Sequence, residues 1–132
     1  MRYIPYILQI VLGLFFVIFG LNGLLSIWPL PPLPEAAFNL IDAMKSSGYL
    51  YQLIMLCEIF SGLLLISNRW VPLGLAILLP INVNILLFDA FLNPQAIFIP
   101  VMLCLLNVVL CLNYFHAYRP LLSAKIEKNS GI

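Results

Sequence analysis

From Tyr3 to Pro34 the chain carries no charged residue. A soluble fold has no means of keeping so long an uncharged stretch away from water, whereas a helix crossing the hydrocarbon of a bilayer needs about 20 mostly apolar residues. Three further stretches meet the same requirement, so the expected spans are Pro5–Trp28, Tyr49–Ser67, Trp70–Phe91 and Gln95–Tyr118. Composition agrees. Of the 132 residues, 64% are hydrophobic and 8% charged, against roughly a quarter charged in a soluble domain. The expected fold is all-α: an integral membrane four-helix bundle over residues 1–118, followed by a short cytoplasmic tail at 119–132.

Arg2 ahead of an apolar run resembles the start of a signal peptide, but the run is longer than an h-region and no small-x-small cleavage site follows it. The first span is therefore expected to be retained. Cys57, Cys104 and Cys111 all fall inside apolar runs without a C-x-x-C pair, which reads as packing rather than a disulfide framework.

Direction follows from the basic residues. Arg2, Arg69, Arg119, Lys125 and Lys128 lie on one side of the expected topology and Lys45 alone on the other. The positive-inside bias places both termini in the cytoplasm; the expected location is a bacterial inner membrane. Tyr3, Tyr6, Trp28, Tyr49, Tyr51, Trp70, Tyr114 and Tyr118 mark the interfaces, where amphipathic rings settle. Asn68-Arg69 and Leu92-Asn93-Pro94 are short links that force antiparallel neighbours, with Asn93 read as a helix cap and Pro94 as a first helical residue. In the first outer loop, Pro29, Pro31, Pro32 and Pro34 enforce an extended segment. Glu35–Ser46 then reads as a short interfacial helix, with Phe38, Ile41 and Met44 on one side and a stop at Ser46-Ser47-Gly48. A plain spacer is the alternative.

Function should show where a polar group persists in the membrane against its cost. Glu58 lies near the middle of the second span. An acidic residue there costs about 2.5–3.5 kcal/mol on the insertion scale, and the Leu, Ile and Phe residues of that span return roughly 3–6 kcal/mol. The margin is small, so Glu58 is a functional candidate. Burial favours the neutral acid, which donates one hydrogen bond and accepts others. Asn82 and Asp89, seven apart on the third span, and Asn22 near the end of the first span occupy the same half of the membrane as Glu58, with Asn82 and Glu58 somewhat deeper than the other two. Glu58, Asn22, Asn82 and Asp89 are the expected ligand- or partner-binding set, converging beneath the loop helix.

The other polar residues read as structural. Cys104, Asn107, Cys111, Tyr114 and Tyr118 recur at bundle-facing steps on the fourth span. Asn84, Asn107 and Asn113 are expected to act as interhelical hydrogen-bonding residues, each worth ~0.6 kcal/mol. Gln9, Gly13, Phe16 and Gly20 share a face on which small residues allow close approach, and Gly62 is read the same way. Pro80 and Pro100 are expected to bend their helices. His116 reads as an interfacial anchor. No metal site is expected, and a net charge of +1 with no basic patch points away from nucleic acid.

Several of these pieces together resemble the DoxX-like family of small four-helix membrane proteins. They are Leu12-Gly13-Leu14 through Phe19-Gly20-Leu21-Asn22, Glu58-Ile59-Phe60-Ser61-Gly62, Arg69-Trp70-Val71-Pro72-Leu73-Gly74-Leu75 through Asn84-Ile85-Leu86-Leu87-Phe88, and Ala117-Tyr118-Arg119-Pro120. The resemblance implies the same fold and, for some relatives, association with thiosulfate–quinone oxidoreduction. It places the family's acidic position at Glu58 and its polar position in the first helix at Asn22, where many relatives carry Lys.

Three functions follow as expectations. The first is a non-catalytic membrane subunit binding a lipid, a quinone or a partner helix through the Glu58 cluster. The second is the membrane subunit of a quinone-linked oxidoreductase, for which no catalytic constellation is visible. The third is a proton-coupled transporter, which would need a homo-oligomer. No cofactor is visible beyond a quinone or lipid ligand, and the partners are the bilayer and a membrane or soluble protein. The charge bias generates the first prediction: a carboxyl-terminal reporter is active only in the cytoplasm. Activity solely on the opposite side would reverse the topology.

Overall fold

The computed structural model describes residues 3–29 and 32–125. Arg2, Pro31 and Lys128, on which the orientation and the first loop partly rest, lie outside the described residues. The elements are α1 (Ile4–Leu25), α2 (Glu35–Ser46), α3 (Leu50–Ser67), α4 (Val71–Leu92), a 3₁₀ turn at Pro94–Ala96, α5 (Phe98–Asn113) and α6 (Phe115–Leu122). Among the described residues all regular structure is helical. α1, α3 and α4 are each long and apolar enough to cross a membrane, and α5 with α6 adds a fourth candidate if that bent pair is one span. The chain is thus an integral membrane protein. α1 packs against α3, α3 against α4, α4 against α5 and α5 against α1. The beginnings of α1 and α4 therefore meet the ends of α3 and α5 at one end of the molecule, the terminal end. α2 rests on α3 and α4 at the other.

Glycine sets the closest approach. A methyl group added at Gly62 of α3 would lie 2.6 Å from the Gly13 carbonyl oxygen of α1 and 2.7 Å from Val17 Cγ2. One added at Gly13 would lie 2.8 Å from the Gly62 carbonyl oxygen. Two helix backbones in such contact gain dispersion and weak Cα–H···O interactions, which drive association where lipid tails remove any hydrophobic advantage. Gln9, Gly13, Phe16 and Gly20 are all buried, so that face is the one α1 turns inward.

The element ends differ from expectation in physically informative ways. α1 stops at Leu25 rather than Trp28, because Ser26 turns left-handed at φ 52° and its N–H returns to the Asn22 carbonyl at 2.7 Å. α2 occupies Glu35–Ser46, and Gly48 at φ 88° supplies the turn after it. Its inward stripe is Ala37, Ile41 and Met44, with Leu33 turned inward just before it. Phe38 is 57% exposed, while Ala37 is fully buried: a small side chain lets the helix lie close on α3 and α4. After α4, Pro94 opens a 3₁₀ turn with Asn93 at its N-cap position, as expected, though the Asn93 side chain makes no capping bond. Because α5 begins at Phe98, Pro100 falls in its first turn, where a missing N–H breaks no helical bond.

The largest departure is in the last span. In place of one helix through Tyr118, the chain breaks at Tyr114, and α6 leaves α5 at 83°. The Tyr114 N–H is shared between the Leu110 and Cys111 carbonyls, both at 3.1 Å. The Tyr118 hydroxyl then donates to the Pro72 carbonyl at the start of α4, 2.6 Å away. That contact draws α6 across the terminal end. The stretch expected to begin a tail at residue 119 is helical through Leu122.

Gly62→Ala is predicted to destabilise the protein by about 1–3 kcal/mol, since α1 and α3 must move apart to admit the methyl group. Unfolding in detergent measures it. Unchanged stability would show that the two helices are not in backbone contact.

Candidate functional site

Polar side chains inside the helices fall into three levels, which differ in whether the protein satisfies them. At the terminal end they are satisfied. Gln9 is 1% exposed, and its amide nitrogen donates to the Leu65 carbonyl at 2.9 Å and to Asn68 Oδ1 at 3.0 Å. Its amide oxygen accepts from the Tyr114 hydroxyl at 2.8 Å. One residue thereby joins α1, the end of α3 and the break after α5. Asn68, at φ 60°, and Trp70, at φ 53°, make the tight link into α4 beside it. Cys111 extends the set, donating to Asn107 Oδ1 at 3.4 Å.

In the middle several are not. Glu58 of α3 is 4% exposed, and Ser61 on the next turn is fully buried. Asn82 of α4 and Asn107 of α5 are also fully buried. Ser61 Oγ, Asn107 Nδ2 and both polar atoms of Asn82 have no hydrogen-bond partner. At ~1.5 Å per residue, Glu58, Ser61, Asn82 and Asn107 all lie ~12–17 Å from the α2 ends of their helices. They belong to three successive helices in the ring of contacts. Buried polar atoms are paired in the great majority of native structures, and an unmet one costs about 1–3 kcal/mol. Four such atoms at one level mark a place suited to accept polar groups.

Nearer the α2 end, Asn22 and Asp89 are buried, 7% and 8% exposed. Each is ~4–5 Å of helix rise from its helix end, about one and a half turns above the Glu58 level. Glu58 and Asn82 are thus the deeper pair and Asn22 and Asp89 the shallower one, and Asn22 has a second task. Its Oδ1 accepts the Trp28 N–H at 2.7 Å, holding the chain as it leaves α1. Above it lies a cleft of about 380 Å³ lined by Asn22, Gly23, Trp28, Lys45 and Tyr51 among others. The Lys45 ammonium sits 4.8 Å from the centre of the Tyr51 ring, a cation–π contact tying the end of α2 to the start of α3.

Sequence reasoning missed Ser61, whose signal was its three-residue spacing from Glu58, and undervalued Gln9, read only as a neighbour of the glycines. Of the asparagines expected to join helices, Asn107 is buried, but Asn84 and Asn113 are exposed. Among the described residues no group of three or more His, Cys, Asp or Glu side chains is placed to hold a metal ion.

Gln9→Leu takes one donor from the Leu65 carbonyl, which keeps the Asn68 N–H, removes the bond to Asn68 Oδ1 and leaves the Tyr114 hydroxyl without its acceptor; it is predicted to lower stability by about 1–3 kcal/mol, and Tyr114→Phe, which removes one bond, by ~0.6 kcal/mol. Thermal unfolding in detergent ranks them, and a Gln9→Leu protein as stable as wild type would deny Gln9 its joining role. Comparison of the chain with protein-family models, curated proteins and solved structures returns no match.

Proposed function

We propose that the chain is a non-catalytic membrane subunit that binds a lipid, a quinone or a partner helix through the polar level around Glu58. In this reading it is a four-helix bundle of the bacterial inner membrane with both termini in the cytoplasm. The fourth span is the 3₁₀ turn plus α5. α5 alone is ~24 Å long at ~1.5 Å per residue, and the preceding turn brings it to the ~30 Å of the hydrocarbon. α6 lies in the inner interface, with Phe115, Leu121 and Leu122 exposed beside Arg119, as in helices that rest on a membrane surface. α2 lies in the outer one. The resemblance to the DoxX-like family supports this arrangement.

The observation that carries the function is Asn82, fully buried with neither its amide nitrogen nor its oxygen partnered, at the depth of the buried Glu58 carboxyl. A neutral acid and an amide together offer both donors and acceptors. They suit a ligand with a small polar group on an apolar body, such as a quinone carbonyl or a lipid ester, or a polar side chain from a partner helix. Asn22 and Asp89 lie between that level and the α2 end.

The test is mass spectrometry of everything retained when the protein is extracted gently from its native membrane, wild type beside Glu58→Gln. The amide keeps the size of the acid, so the variant folds, and a quinone, lipid or protein is expected to be present in wild type and depleted in the variant. Identical inventories would make Glu58 a structural residue.

A further inference from the structure

The outward face of α4 is chemically unlike that of a helix bathed in lipid. Its exposed residues are Leu73, Ala76, Pro80, Val83, Asn84, Leu87, Ala90 and Phe91, recurring at three- and four-residue steps. Among them is an amide. At ~1.5 Å per residue Asn84 lies ~20 Å from the start of α4 and ~12 Å from its end. That depth is inside the hydrocarbon, where a short side chain cannot reach water. Polar residues within spans almost always face protein or a water-filled cavity, because an amide left in lipid has nothing to bond. Pro80 adds a second polar group to the same face: it brings no N–H to the carbonyl of Ala76 one turn earlier. Ala76 and Pro80 are also small enough to let another helix come close.

We propose that α4 pairs with α4 of a second copy of this chain, with Asn84 bonded to Asn84 across a two-fold axis along the membrane normal. The occupant follows from the chemistry. An amide is both donor and acceptor, so two of them satisfy each other when a two-fold places the same residue opposite itself. Copies inserted with one orientation present parallel α4 helices, and Asn84 then meets its counterpart at equal depth. The face stands on the opposite side of α4 from buried Asn82 and Leu78, so this pairing is independent of any ligand at Glu58.

Förster transfer between donor- and acceptor-labelled full-length chains in liposomes, across a dilution series in lipid, tests it. Wild type is expected to exceed random proximity. Asn84→Leu, which suits a lipid-facing position and so folds, should weaken association about three- to twentyfold. Asn84→Gln should restore it, and Leu105→Ala on the exposed face of α5 should leave it unchanged. Transfer at the random level in wild type, or equal in Asn84→Leu, overturns the proposal. As a second reading, a photoreactive benzoylphenylalanine at position 87 in native membranes should yield an adduct of two copies. An adduct with a different protein, or with lipid alone, would assign the face to that partner instead.

Discussion

Hydrocarbon offers no hydrogen bonds, and every polar group this chain carries into it must find its partner inside the protein or do without. Helices answer the requirement for the backbone. The side chains answer it unevenly, and that unevenness separates what holds the molecule together from what it has to offer. Gln9 uses its nitrogen twice and its oxygen once, on partners from the end of α3 and the break after α5. It is a structural clasp. Asn82, a few turns away and just as buried, uses neither atom.

The same constraint explains the packing. With no hydrophobic gain available between helices in lipid, α1 and α3 associate through backbone contact at Gly13 and Gly62, and the clasp fixes their ends. Tyr114 and Tyr118 then set where α5 stops. Their hydroxyls reach Gln9 and the Pro72 carbonyl, and the chain turns by 83° to let them.

Hydropathy made the helices legible, since apolar length is a property of sequence alone. The loop helix was legible too, because prolines before it and Gly48 after it act locally. The break at Tyr114 was not: no glycine or proline announces it, and its cause is a pair of hydrogen bonds to residues more than forty positions away. On α2, apolar spacing grouped Phe38 with Ile41 and Met44, but it could not show that close approach to α3 and α4 buries Ala37 and leaves Phe38 exposed. Among the polar residues, type alone singled out Glu58 and Asn82, each costly in lipid and each buried. It could not reveal that Asn22 is engaged by the Trp28 N–H, nor that Ser61 lacks a partner, since both depend on where another backbone passes.

Whether the unpartnered level is a binding site turns on what touches the Glu58 carboxyl. Solid-state NMR answers this directly, with the protein labelled with ¹³C at glutamate side-chain carboxyls alone and kept in native membrane patches. Glu58→Gln identifies the signal among the other glutamates. A binding site at this level transfers magnetisation from the Glu58 carboxyl to protons of a quinone, a lipid or a second protein. A carboxyl that receives magnetisation only from protons of its own chain would contradict it.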